Sequence, residues 1–488
     1  MKNNKLCLAV SLCAAVLLAA CGGGGGGGGG GGTATTVSMN IAASGIPSGS
    51  TVVLQGGSQA LSVSANGTVT FSGLSQGDTI SVSSQPVGGS TCVFFNQDVA
   101  GTSVALSAIT GSTVSLECSV YPAFNPTLPQ VGAPNAGTPN VFPTPVITPV
   151  FYNNVPSTSQ TQETSFLSML TGSSIWGVLA QYGIGTPTIR APVVLPTSAP
   201  SSLTTADISN LVTANAASWD GGTVLPQSFF MIYVPNGTSI GTSGMAYHSA
   251  VTINGTLVGY ALIPVSGTND ESSPEHELME GVADPDGVSG YSTFPGALSW
   301  AAQIGQFGSA NPGTEIGDMC ESDATTYSGS SGDPLNGYVL QPIWSNSAAA
   351  DPANPCVWNS TSTQQIAGAI PVLPSTLTDS SGLNPVAGVV VAPGASVTIA
   401  VHVFSQNVSF GVLSLSANLT GYTGTGTGTT TGWTFSFDKQ YALNGDTANL
   451  TITAPASYTP GLYTFSVNAV SSAGEFLLPG GISDSTTY

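Results

Sequence analysis

The sequence predicts a multidomain, β-rich chain: an amino-terminal β-sandwich, a central α+β module and a carboxy-terminal β-sandwich. Three observations carry this. Short β-branched runs separated by Gly, Asn and Ser turns fill residues 33–120 and return over 365–488. Between them, residues 141–362 mix helical and strand periodicities. Charged residues are only 6% of the 488, which fits an exported β-rich protein better than a cytosolic enzyme.

The first residues read as an address. Lys2 and Lys5 precede the apolar run Leu6 to Leu18, too short to span a bilayer, so residues 1–20 are expected to be a signal peptide. Leu18-Ala19-Ala20-Cys21 resembles a bacterial lipobox, implying cleavage before Cys21 and lipidation of its thiol. The resemblance makes the membrane a partner through a lipid anchor, and glycine after the cysteine implies the outer membrane of the cell envelope. Residues 21–32 are this cysteine and its glycine tether, a coil spanning roughly 18 Å. After cleavage only Arg190 and Lys439 remain against 24 carboxylates, which excludes nucleic acid as a partner. Cys92, Cys118, Cys320 and Cys356 suggest two disulfides in an exported chain. Three connectivities are open to them, and pairing within modules gives Cys92–Cys118 and Cys320–Cys356.

The first module is built from runs such as Thr51–Leu54, Leu61–Ser64, Thr68–Phe71 and Thr79–Val82. Its Gln85-Pro86-Val87-Gly88 stretch leading to Cys92 is similar to small β repeats of bacterial surface lipoproteins. Residues 121–140, rich in Pro, Asn and Gly, read as a semi-rigid linker. In the centre, Val146–Tyr152 reads as a strand and Glu163–Tyr182 as a helix interrupted near Gly172. Thr205–Trp219 is a second helix capped by Thr204 or Thr205. Phe229–Val234, Tyr247–Ile253 and Leu257–Val265 follow as strands. The last module takes its strands from Ser396–Val401, Ala448–Thr453 and Pro460–Val467, and resembles bacterial Ig-like domains. His402 alternates within a strand and reads as structural.

The chemistry concentrates in one place. Eleven carboxylates fall between Asp270 and Asp323, with no Lys or Arg between Arg190 and Lys439. Repulsion at this density calls for solvent or a cation. One reading is a solvated acidic loop entering a helix. The sharper one is a metal site. His276-Glu277-Leu278-Met279-Glu280 is an H-E-x-x-E frame, in which positions i and i+4 share a helical face. His276 and Glu280 are candidate ligands, with Asp284 and Asp318 to complete the set, and Glu277 is the candidate general base. Ser272 or Ser273 would cap the helix, Ser272 and Glu275 having capping-box spacing. His248 and Tyr247 are candidates for oxyanion stabilisation, His248 also for ligation. Zinc suits one imidazole and two carboxylates, whereas calcium suits Asp284-Pro285-Asp286-Gly287. The motif makes the central module zincin-like in expectation.

Several segments together resemble bacterial relatives of the EXORDIUM, or phosphate-induced, protein family. They are Ser173–Trp176, Gln181–Gly185, Tyr233-Val234-Pro235, Tyr247-His248-Ser249, Tyr260–Pro264, His276 to Pro285 and Glu315 to Cys320. The resemblance spans roughly residues 140–360 and implies an extracytoplasmic protein without a defined reaction. The chain departs from the family pattern at Met245 and Ala283, where cysteine and threonine are expected.

Two function classes follow. One is a zinc-dependent hydrolase, most simply a peptidase acting on protein or peptide. The other is a non-catalytic surface protein that binds glycan, host protein or calcium, with Trp300, Trp344 and Trp358 available to stack on sugars.

Overall fold

A computed structural model describes the chain except residues 1–35, 97–98, 110, 126–129, 133–137, 242–245, 292–314, 351–352, 361–365, 379–384, 424–430, 472–479 and 486–488. The expected signal peptide, the Cys21 anchor, the glycine tether, Met245 and Trp300 all lie outside the described residues. The protein is mostly β, arranged in many sheets.

Alternating apolar residues build the amino-terminal unit. Its strands are β1 (Thr36–Ser44), β2 (Val52–Gly56), β3 (Gln59–Val63), β4 (Gly67–Ser75) and β5 (Thr79–Ser84). After them come β6 (Ser90–Asn96), β7 (Val99–Gly101), β8 (Ser103–Ala105) and β9 (Thr113–Val120). They form sheets of order β4-β1-β9-β6-β7 and β3-β2-β5-β8. Ile41 and Leu116 of the first sheet share one core with Leu54 and Ile80 of the second. Cys92 and Cys118 lie opposite each other on β6 and β9 and are disulfide-bonded.

The central unit is built round the largest apolar cluster, into which Phe404 of the carboxy-terminal unit also packs. Strand β10 (Val146–Phe151) leads into helix α1 (Ser157–Thr171), which ends at Gly172; a 3-10 turn over Trp176–Tyr182 follows. Short strands β11 (Thr188–Ile189) and β12 (Val193–Val194) precede helix α2 (Thr205–Trp219). Thr204 and Asp207 close a reciprocal capping box on α2, so its start is written in four residues. Then come β13 (Ser228–Val234), β14 (Tyr247–Ile253), β15 (Thr256–Pro264) and helix α3 (Ser272–Ala283). The sheet runs β11-β10-β13-β15-β14, with β12 also on β10. Strands β10, β13 and β15 are parallel, and their near-continuous apolar sequence reflects burial on both faces. Strand β14 alone is antiparallel, at the edge. Helix α3 lies tight on the sheet because Gly281 has no side chain: a Cβ there would stand 2.3 Å from the Phe229 ring.

Two local expectations fail at the start of α3. The cap position is Glu271, without a side-chain cap bond. Ser272 Oγ instead donates to Asp270, and Glu275 is drawn inward to accept from the Gln341 N–H at 2.9 Å. Nor is the acidic stretch a solvated loop, since Glu271, Glu275, Glu277, Glu280 and Asp284 are all buried. The linker is tied down where it is described: Val131 is buried and exchanges two hydrogen bonds with Asn346.

The carboxy-terminal unit again has two sheets over one core. One centres on Ser396–Ser405 paired with Thr447–Thr453, the other on Leu413–Thr423 paired with Leu462–Ser471. His402 is exposed and meets Thr447 Oγ1 at 3.0 Å. The amino- and carboxy-terminal units touch directly, since Asn444 donates to Ser119 Oγ and the Val120 carbonyl and accepts from the Ala123 N–H.

Disulfides Cys92–Cys118 and Cys320–Cys356 are of the kind an oxidising, extracytoplasmic compartment sustains. This marks an extracellular or cell-surface protein. No helix among the described residues is long and apolar enough to cross a membrane.

Candidate metal centre

Helix α3 packs one face on the sheet and directs His276 and Glu280 toward the loop that carries Asp318. His276 Nε2 stands 2.9 Å from Glu280 Oε2 and 3.6 Å from Asp318 Oδ1. Donors about 2.0–2.1 Å from a tetrahedral zinc are about 3.3 Å from one another, so these separations bracket a bound ion. The surroundings hold each donor. Gln341 donates its amide N–H to the Gly317 carbonyl at 3.0 Å, which leaves its Oε1 to accept from His276 Nδ1 at 3.3 Å. That brace turns Nε2 toward Glu280 and Asp318, as the outer hydrogen bond of a metal-binding histidine would. Glu280 Oε1 accepts from the N–H groups of Gly317 and Asp318 at 3.0 and 2.7 Å, so Oε2 faces inward. The turn approaches this closely because residue 317 is glycine: a Cβ would sit 2.7 Å from Glu280 Oε1 and 2.9 Å from His276 Nδ1. The Cys320–Cys356 disulfide anchors the same turn two residues further on.

The fourth side is strand β14. His248 Nδ1 meets Glu277 Oε2 at 3.1 Å and Glu280 Oε2 at 3.8 Å. Its Nε2 donates to the Asp284 carbonyl at 3.1 Å and lies 3.4 Å from Glu315. Burial opposes charge on both histidines. Glu280 for His276 and Glu315 for His248 lead the carboxylates that nonetheless raise their pKa well above the ordinary value. Burial works against ionised Glu280 as well, but the two imidazoliums hold its pKa below the usual range. Burial pushes Glu275 up to about 8 and Glu315 up to about 7, His248 moderating the latter.

Four residues expected at the site are placed or engaged elsewhere. Tyr247 precedes His248 on a strand, so it points to the opposite sheet face. There it packs edge-on to Tyr260, whose hydroxyl meets Ser209 of α2, and an oxyanion role beside Glu277 is out of its reach. Asp284 leaves the helix with extended φ, and its Oδ1 accepts from the Ser289 and Gly290 N–H groups. It is therefore a loop fastener and not one of the grouped donors. Asp286 likewise accepts from the Val288 and Ser289 N–H groups and from Ser289 Oγ. Trp344 is fully buried, so no sugar stacks on it. His248 itself has both ring nitrogens engaged and serves as the partner of Glu277.

Glu315 and Gly317 belong to the Glu-x-Gly-Asp segment that the sequence marked without giving either residue a role; Gln341, the brace of His276, carries no such signal. A cavity of about 440 Å³ at the amino end of α3 is lined by Ile240, Ser266, Asp270 and Ser273, and not by the donor atoms.

No protein-family model matches the chain, and no curated protein matches it. Among solved structures it is similar to domains 4 and 5 of the S-layer protein SbsC, with 19% identity and a TM-score of 0.14. That likeness covers 24% of this chain and 54% of the other, about half its length.

Proposed function

We propose that this chain is a cell-envelope protein whose central module is a metal-dependent hydrolase, most simply a peptidase. The observation that carries the reading is the convergence of His276 Nε2, Glu280 Oε2 and Asp318 Oδ1, the first braced by Gln341 and the second by the Gly317 and Asp318 N–H groups. An imidazole nitrogen among the donors favours a zinc-class ion over calcium, which takes oxygen. The sheet order supports a zincin-like reading, with one antiparallel edge strand beside the motif helix. An extended peptide can add to the outer edge of β14 through main-chain hydrogen bonds, bringing a carbonyl to the end of α3. The resemblance to EXORDIUM relatives and the Cys21 lipid anchor belong to the same reading.

A bound zinc-class ion supplies Lewis acidity and an acidified water. Glu277 accepts the proton of the attacking water, and His248 holds that carboxylate in place. Elemental analysis of the full chain tests the proposal: a zinc-class ion near stoichiometry, lost on His276→Ala, is expected. Casein or gelatin turnover should stop with a chelator. Calcium alone, or no metal, sinks the reading. An ion without turnover leaves a non-catalytic envelope binding protein.

A further inference from the structure

Both histidines of the centre are prepared in the same way. His276 commits Nδ1 to Gln341 and His248 commits Nε2 to the Asp284 carbonyl. The second nitrogen of each ring faces carboxylates: His276 Nε2 meets Glu280 Oε2 at 2.9 Å, and His248 Nδ1 meets Glu277 Oε2 at 3.1 Å with Glu280 Oε2 at 3.8 Å. The other Glu280 oxygen is taken by two backbone N–H groups, so Oε2 is the one available to bridge. The donors accordingly form two groups, His276–Glu280–Asp318 and His248–Glu277–Glu280, each within 4.8 Å internally and sharing only Glu280.

We infer that the central module binds two divalent cations bridged by the Glu280 carboxylate, the second held by His248 Nδ1, Glu277 and Glu280. This rests on the reading that the first locus takes an ion, and adds a neighbour to it. Two ions each about 2.0–2.1 Å from a shared oxygen lie about 3.5–4 Å apart, the spacing of two-ion hydrolases. Each locus offers one imidazole and two carboxylates, a set for zinc, manganese or ferrous iron. The braced far nitrogen on each imidazole is the outer-shell bond that metal-binding histidines make. Charge points the same way. Glu277, Glu280, Asp284, Glu315 and Asp318 surround two imidazoles with no Lys or Arg between Arg190 and Lys439, so one divalent ion leaves a negative excess in a poorly screened interior. Glu277 binds the second ion through Oε2, the oxygen facing His248, and keeps Oε1 for the proton.

The full chain, stripped with chelator and reloaded separately with Zn²⁺ and Mn²⁺, is desalted and its metal counted. Two ions per chain are expected, with an exchange-coupled Mn²⁺ resonance; His248→Ala and Glu277→Gln should each hold one uncoupled ion. One ion in the wild type, unchanged in His248→Ala, overturns the second locus and leaves the first standing. No ion in the wild type overturns both. Should the variants misfold, the wild-type count and resonance decide alone.

Discussion

The central unit and the β units on either side of it fill their interiors differently. Among the described residues, the buried polar side chains of the flanking units are uncharged: Ser50, Ser90, Ser405, Asn444, Ser466 and Ser471. The centre buries Glu163, Asp220, Glu271, Glu275, Glu277, Glu280, Asp284 and Asp318. An unpaired buried carboxylate costs several kcal/mol, so such groups persist where they are neutralised by a proton, an imidazole or a cation. The difference lies in what each interior demands: the flanks need no counter-charge, whereas the centre must neutralise its carboxylates.

The sharpest way to break this contrast is Glu277→Gln. Turnover should fall about 10²–10⁴-fold while the ion on His276 is retained; activity within a few fold of wild type would remove Glu277 from the chemistry. Next come the two disulfides. Losing either should cost about 2–4 kcal/mol in denaturant melts, but only Cys320→Ser with Cys356→Ser should also weaken zinc binding, because that bridge holds the Asp318 turn. Equal zinc affinity in both double variants would show that the turn needs no such support. Gln341→Ala should lower zinc affinity about 10–100-fold, read by competition with a chromogenic chelator. A null effect there would dissociate His276 from its brace.

The smallest effect concerns Glu163 of α1 and Glu271 at the start of α3. Burial, then mutual repulsion, raises Glu163 to about 9, and burial raises Glu271 to about 7, with Gln162 donating to the latter at 2.8 Å. Raised folded-state values mean that unfolding releases protons. Their contribution is whole below about 4.5, the ordinary value for a glutamate, and drains away as pH climbs through about 7 and about 9. Urea midpoints at pH 5 and pH 9 should therefore differ less in Glu163→Gln than in the wild type. Parallel losses in the two proteins would assign the pH dependence to other groups.

What could be read from residues depended on how local the cause was. Helix α2 and strand β14 appear with the bounds their periodicity suggests, because a capping box and an unbroken apolar rhythm decide them within a few positions. The pairing of His276 with Glu280 follows from one helical turn, and Asp318 was legible from its Glu-x-Gly-Asp setting. The start of α3 was not, because Glu275 answers to Gln341, 66 residues away. Tyr247 is a different failure. Strand alternation already separates it from His248, so the oxyanion assignment ignored information present in two adjacent letters.

Asn444 has a mechanical consequence. Its amide stitches the carboxy-terminal unit to Ser119, Val120 and Ala123, at the exit of the amino-terminal one, and Val93, Val412 and Leu443 seal the seam beside it. Pulling the two β units apart therefore loads this seam directly, together with the Phe404 packing that ties the carboxy-terminal unit to the central core.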